Sequence, residues 1–478
     1  MAAGSAVLTA FGVSVIDFFG ALCYNWKVLL FRKEMQLLQT YDMLFLFAFL
    51  PVYMGLFAIT PPKRRAWTIA LGNLVIAASC GLRCAAVYVI CTAVCYFSGI
   101  AIYNMRNNEQ RKTWRKALAA GNILLAAAVL LLCSPRGAAL SALMPFKTAL
   151  LAVLPLNMIS YIIDVTRCDC EAQTNVAQLA AYIGFFPTAG YGPVYRYKTV
   201  QSSFAEPKPD AGKLSEGIRY YIMGLAAYVV VAVRLAELHQ ELLATSASQL
   251  RGGAAWMGTL VYYAGFGTSV IASVFMGHGL AVMQGIRTGH CFRRRFMQPV
   301  VERRLREFNL PLCRWLRDYV TMPLRRAGIA APAATAAAIL LGALWYDLSV
   351  GWLAAGLLLA AAVTVQGKLA KGQKPAEPFI VIVSAAAKVI TFAAVACGAV
   401  WEYISGKAGL ALFGSGSTDD SFFYTFFGEA VLPTVLGLVI TGSLLHSLIN
   451  RMNLRWFKLV LPLTELVFLA IATAYMVR

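Results

Sequence analysis

His278 stands between Gly277 and Gly279 inside a long apolar stretch. An ionisable residue at membrane depth is a functional candidate by default, because hydrocarbon offers it nothing to pair with. A histidine between two glycines also commonly satisfies a neighbouring backbone group. The chain holds only four histidines. His239 follows Glu237 at the end of a helical stretch and reads as interfacial. His290 lies in a basic loop and reads as solvated, and His446 closes the stretch Gly442-Ser443-Leu444-Leu445-His446. Imidazole matters because its pKa near neutrality lets it take a proton from an attacking hydroxyl. A second constellation is Trp345-Tyr346-Asp347. A buried carboxylate there could bind or deprotonate a hydroxyl if its pKa were raised. The plainer reading is a helix end, with Asp347-Leu348-Ser349 as a loop and N-cap before the next helix.

Cysteine and arginine supply other candidate chemistry. Cys80, Cys84, Cys91 and Cys95 follow at helical spacings of four, seven and four, so one helix face could hold them all. No histidine or carboxylate joins them, and Gly81-Leu82-Arg83 interrupts the helix. They read as small, soft residues packed between helices. Cys168-Asp169-Cys170 is too tightly spaced for a zinc knuckle and is expected to stay reduced. Seven arginines lie between Arg287 and Arg306, and Arg314, Arg317, Arg325 and Arg326 extend them into a basic belt. Such a belt is the cytoplasmic loop of a positive-inside topology, or a mouth for a phosphorylated ligand, whose oxygens a guanidinium fork can grip in pairs.

The elements that must position these residues are apolar. The chain is 59% hydrophobic and 13% charged, against about 25% charged in soluble proteins. Mean hydropathy is +0.67. Apolar runs of spanning length recur throughout, which predicts an all-α polytopic membrane protein with no large soluble domain. The net charge of +20 is interleaved with apolar spans, which argues against nucleic-acid binding and for contact with anionic membrane lipid. The first apolar stretch lacks the features of a cleavable signal. Spans are expected near 6–24, 42–59, 66–82, 84–103, 117–133, 143–163, 176–190, 218–238, 255–284, 328–345, 348–369, 378–402, 424–448 and 456–476. The 176–190 stretch runs into Pro187-Thr188-Ala189-Gly190-Tyr191-Gly192-Pro193, which cannot stay helical. It is expected to be re-entrant and buried in protein, since lipid cannot satisfy open backbone. The basic residues Lys27, Arg32 and Lys33 lie one span from Lys63, so residues 1–40 read as an extra interfacial helix and linker. A small polar loop at 406–420 precedes C-terminal helices (406–478) and reads as extracytoplasmic.

Four ordered stretches carry a resemblance. Leu154 to Arg167 (LPLNMISYIIDVTR) resembles a helix ending in S-Y-x-I-D-V-Y-R, and Phe185-Phe186-Pro187 with Gly192-Pro193-Val194-Tyr195-Arg196-Tyr197 resembles F-F-P…A-G-P-I-x-R. Leu214-Ser215-Glu216-Gly217 resembles the start of the next helix, and Trp315-Leu316-Arg317-Asp318-Tyr319 matches W-L-R-D-Y, preceded by Gln298-Pro299. Together they resemble the membrane-bound O-acyltransferase family, in its alginate O-acetylation branch, over about 42–405. The resemblance implies a core at 41–405, with about 11–14 transmembrane and re-entrant helices in a ring around a tunnel.

It also implies where the chemistry should sit. The family carries histidines six residues before the Trp of W-L-R-D-Y, after the Trp of the Gly342-to-Asp347 stretch, and fourteen residues after that same Trp. Here Asn309, Tyr346 and Leu359 occupy those places. His446 copies the missing pattern about a hundred residues too late. The candidate catalytic residues are therefore Asn309, Tyr346, Asp347, Leu359 and His278. Arg196, Trp315, Arg317, Asp318 and Trp345 are candidates for substrate contact, although Asp164 with Arg167 and Arg317 with Asp318 also read as structural ion pairs. The implied activity moves an acetyl or short acyl group from acetyl-CoA or another cytoplasmic thioester to exported cell-surface polysaccharide, at a bacterial inner membrane. Implied partners are polysaccharide synthesis and export proteins and an extracytoplasmic esterase-like acetyl-transfer protein. With its histidines replaced, the chain is expected either to work on non-standard residues or to serve as a non-catalytic scaffold. No metal site or tightly bound cofactor is expected.

Overall fold

The computed structural model describes residues 42–132, 149–244, 252–289, 291, 309–369, 386, 389–401, 420–441, 467 and 469–474. All regular structure among them is helical. The expected N-terminal helix and linker, residues 406–419 of the polar loop, His290, His446 and most of the basic belt lie outside the described residues. Among the described residues, four helices are long and apolar enough to cross a membrane: Leu82–Asn104, Lys112–Leu131, Ala211–Ala244 and Gly253–Met283. Shorter apolar helices include Val153–Thr166, Ala331–Tyr346, Val350–Val365 and Val389–Trp401. The chain is an all-α polytopic membrane protein.

In order, the helices that matter here are α1 (Leu50–Ile59), α2 (Arg65–Ser79), α3 (Leu82–Asn104), α4 (Lys112–Leu132), α5 (Ala149–Thr166), α6 (Val176–Ile183) and α7 (Tyr197–Ala205). Then follow α8 (Ala211–Ala226), α9 (Val233–Ala244), α10 (Gly252–Met283), α11 (Leu310–Leu316), α12 (Met322–Arg326), α13 (Ala331–Tyr346) and α14 (Val350–Leu369). The expected break near Gly81 is present. That residue holds φ at +120°, a backbone conformation costly for any side chain, and it separates α2 from α3. Cys84, Cys91 and Cys95 are buried along α3 in the main apolar core, which is the packing role their spacing suggested.

The interrupted stretch after α6 is buried, as the proline-rich sequence required, and side chains from other helices satisfy its backbone. The Asn175 side chain opens α6 by accepting from Ala177 N at 3.0 Å. At the other end, Asn73 of α2 donates to the carbonyls of Ala180 and Ala181 and accepts from Phe186 N at 3.0 Å. Asn157 of α5 donates to the Tyr182 and Ile183 carbonyls, and Tyr88 of α3 donates to Ala180 O. A short turn, Phe186–Thr188, then carries the chain to Gly192, where an added Cβ would lie 2.9 Å from the Thr188 carbonyl. Replacing Asn73 by leucine keeps its bulk but removes its bonds to Ala181 O and Phe186 N, while Ala180 O still accepts from Tyr88. The expected loss is about 2–3 kcal/mol, read as a lower unfolding temperature in detergent.

Helices α8 and α9 form one continuous rod through a π-helical segment, Ala227–Ala232, and α8 lies directly against α10. Small residues permit the approach. A Cβ on Gly279 would sit 2.5 Å from Gly217 O and 2.7 Å from Tyr221 N, both backbone atoms that cannot rotate away. Gly279→Ala is therefore expected to force the rods apart and cost about 1–3 kcal/mol, again measured by thermal unfolding.

Candidate functional site

The polar core of the site begins on α5. Asp164 is fully buried and accepts from Tyr319 Oη at 2.8 Å and from Lys198 N at 3.1 Å. Ser160, one helical turn earlier, lies 2.8 Å from Tyr319 Oη and accepts from Tyr197 N at 2.9 Å. Because the Tyr319 proton goes to Asp164, Ser160 is the donor to the phenol oxygen. Trp315 Nε1 donates to Leu156 O at 3.2 Å. Three of the ordered sequence stretches thus converge on one buried network.

Asp318 closes this network at its outer edge. It pairs with Arg196 and accepts from Arg317 Nε at 3.0 Å, while Lys198 Nζ stands 3.9 Å away. Burial pushes the Asp318 carboxyl upward, but the hydrogen bonds from Arg317 and Arg196 outweigh it, and the net result lies below the ordinary 3.8. The structure joins Arg196, Arg317 and Asp318 to one another, with Trp315 anchored to α5. The expected Arg317–Asp318 pair is present. The expected Asp164–Arg167 pair is not: Arg167 donates to the Asp318 carbonyl at 3.0 Å, because the α5 terminus faces the Arg317–Thr321 turn.

Beside the network lies the position of the substituted residues. Asn309 caps α11, accepting from Leu312 N at 3.2 Å through Oδ1, and is 1% exposed. Its Nδ2 is buried with no hydrogen-bond partner. Tyr346, the last residue of α13, brings its hydroxyl beside Asn309. The Tyr346 ring joins an aromatic wall, 5.0 Å from Trp345, 5.3 Å from Phe266, 5.7 Å from Trp352 and 5.8 Å from Tyr191. Leu359 of α14 is buried with Ala343, Trp352 and Ala355 in the apolar cluster against which Tyr346 also packs. Asn309, Trp345, Tyr346 and Leu359 are therefore one site. Asp347 is the extended residue ending α13, and Ser349 Oγ accepts from Trp352 N to open α14. An amide and a phenol can donate hydrogen bonds here, but neither takes up a proton near neutrality.

His278 belongs to a different cluster. Its Nδ1 lies 3.1 Å from Thr288 Oγ1 and 3.2 Å from Cys291 Sγ. His239 is 5% exposed, with its ring 5.0 Å from Tyr262, so it packs between helices. The helix face decides this: α9 turns that residue toward α10. Tyr262 Oη in turn accepts from Trp352 Nε1 at 3.3 Å, which places an imidazole at the far end of the aromatic wall.

Sequence reasoning missed Tyr191, Phe266, Trp352 and Tyr262, as well as Tyr195, Thr288 and Cys291. Tyr191, held between two glycines in the broken stretch, was the one legible signal. Among the described residues no three His, Cys, Asp or Glu side chains gather as a metal site.

Comparison with known proteins adds two findings. Residues 171–379 match the model of the membrane-bound O-acyltransferase family. The chain is also similar to probable alginate O-acetylases AlgI: 27% identical over 326 residues to that of Pseudomonas fluorescens, covering 65% of this chain and 63% of the relative. The protein of Pseudomonas syringae pv. tomato is 32% identical over 202 residues, 41% of this chain and 38% of the relative. That of Pseudomonas aeruginosa is 34% identical over 170 residues, 35% of this chain and 32% of the relative. The chain spans less than two thirds of the length of these relatives.

Proposed function

From the premise that residues 171–379 belong to the membrane-bound O-acyltransferase family, we propose that this protein transfers an acetyl or short acyl group to a cell-surface polysaccharide. The donor is acetyl-CoA or another acyl thioester, presented on the cytoplasmic face of a bacterial inner membrane. The observation that supports the reading is the convergence of Asn309, Tyr346 and Leu359, at the family's histidine positions, with Trp345 on one site beside the Asp164–Tyr319 network. Similarity to alginate O-acetylases supports a polysaccharide acceptor.

The residues divide the work. Asn309 Nδ2, an unused donor, is available to an acyl carbonyl or an acceptor hydroxyl. The aromatic wall excludes water, which protects a thioester from hydrolysis. Arg196 and Arg317 hold Asp318 and so fix the loop and turn, while the basic belt attracts the phosphates of the donor. Proton acceptance falls to a residue other than Tyr346, and His278 is the candidate imidazole. Acyl groups passing outward would be received by an esterase-like extracytoplasmic partner working with polysaccharide synthesis and export proteins.

One measurement tests this. Purified protein is incubated with labelled acetyl-CoA, and thioester consumption and acyl transfer are followed. Turnover is expected, and it should fall when Asn309, His278 and Asp347 are replaced together by alanine. Turnover that survives this triple substitution removes these residues from the mechanism. The apolar Leu359 at a histidine position favours a second reading, a non-catalytic scaffold. That reading predicts no donor consumption at all, together with stable co-purification with polysaccharide synthase subunits.

A further inference from the structure

Cys291 is the one cysteine whose sulfur faces an imidazole among the described residues. Its Sγ lies 3.2 Å from His278 Nδ1 and 3.6 Å from the Gly289 carbonyl, and the residue is 2% exposed. His278 is itself 8% exposed and comes five residues before the end of α10. Around this pair stand two hydroxyls. Thr288 Oγ1 reaches the same Nδ1 at 3.1 Å. Tyr195, from the Gly192-to-Tyr197 stretch, is 6% exposed and turns its hydroxyl toward Cys291 and Thr288 without completing a hydrogen bond. A buried phenol that completes no hydrogen bond with its neighbours keeps a donor for a ligand oxygen at that point. The chain reaches the surface next to this pair: Arg287 and Gly289, four and two residues before Cys291, are exposed.

We propose that Cys291 and His278 form a nucleophilic pair that takes the acyl group from the donor thioester as a covalent acyl-cysteine before it reaches the acceptor. The inference rests on the acyltransferase reading above and adds an intermediate to it. Cys291 Sγ attacks the thioester carbonyl carbon while His278 Nδ1 takes the thiol proton. Tyr195 Oη donates to the oxyanion of the tetrahedral intermediate. The bond from carbonyl carbon to the donor sulfur then breaks, and the imidazolium returns the proton to the leaving thiolate. One thioester replaces another, so no oxidant or further reactant is needed, and the acceptor hydroxyl later takes the acyl group from Sγ. Burial pushes the resting Cys291 thiol up to about 12, while Tyr195 and the charge of Arg314 oppose the rise. The thiol is therefore protonated at neutral pH, and the adjacent base is what makes it a nucleophile.

Full-length protein purified in detergent is mixed with labelled acetyl-CoA, quenched and digested. The expected result is a single label on the Cys291 peptide, released by neutral hydroxylamine. It should be absent in Cys291→Ala and formed at least about tenfold more slowly in His278→Gln and Tyr195→Phe. Label mapping on the wild-type protein decides the matter even if Cys291→Ala does not fold. Donor consumption at the wild-type rate in a folded Cys291→Ala protein overturns the proposal and leaves the acyltransferase reading standing. So does a label found only on exposed Cys168, or a hydroxylamine-resistant label on Thr288. A wild-type protein that consumes no donor overturns the acyltransferase reading and this inference with it.

Discussion

Replacing Asp318 with alanine is expected to destabilise the protein by about 3 kcal/mol and to loosen the whole loop from Gly192 to Tyr197. Its carboxylate side chain is 11% exposed and receives both Arg196 and Arg317, and the Arg196 side chain is 18% exposed. Removing the anion strands the Arg196 guanidinium where water reaches it poorly. That penalty exceeds what the intact pair contributes, which is why breaking one side of a buried pair costs more than the pair's net worth. A thermal unfolding curve in detergent at pH 7 reads it, and an unchanged midpoint for Asp318→Ala would contradict the clamp. The pH dependence has a definite sign. The folded carboxyl titrates below its ordinary 3.8, so its stabilisation is fully present above that value and is lost as pH falls through the lower folded value. The difference between wild type and Asp318→Ala should therefore stay constant from neutrality down to about pH 4 and close only in stronger acid.

Asp318 also shows where sequence stopped being informative. Its neighbours in sequence made Arg317 a foreseeable partner, and the pair is there. Arg196, 122 residues away, read as a substrate contact, because an arginine in a loop announces a charge and not the carboxylate that will meet it. Helix ends near the site were legible, since Asp347-Leu348-Ser349 separates two apolar runs and Pro187 cannot continue a helix. The identity of the groups that satisfy the broken stretch was not. Asn73 and Asn157 sit mid-helix in apolar surroundings, and only the assembled fold reveals that both serve the end of α6. His239 followed a glutamate at a helix end, and only the rotation of α9 shows that its ring meets Tyr262. Cys291 drew no notice because the surrounding sequence is arginine-rich; its meaning comes from a helix end thirteen residues earlier.

Tyr346→His is expected to raise the rate of acyl transfer to a hydroxyl acceptor by ~10²–10⁴, the usual worth of a positioned general base. The resemblance puts an imidazole at this position, and the scaffold around it is in place. Asn309 lies beside the side chain, Trp345 and Trp352 hold it from two sides, and Leu359 packs within the same apolar cluster. A phenol there donates a hydrogen bond but does not accept a proton near pH 7. An imidazole does both, so the gain should follow its titration, with the rate rising as pH passes through about 6.5. The substitution removes part of a ring that packs on Phe266 and Tyr191, which lowers stability without altering the polar network of Asp164, Ser160 and Tyr319. Initial rates of transfer from labelled acetyl-CoA, measured against pH for wild type and variant, test the idea. A folded Tyr346→His protein with an unchanged rate and pH profile would show that hydroxyl activation takes place away from this wall. Its rate would then depend on His278 as strongly as the wild-type rate does. A rate gain that persists in the His278→Gln background would instead place the attacking hydroxyl between Asn309 and the new imidazole.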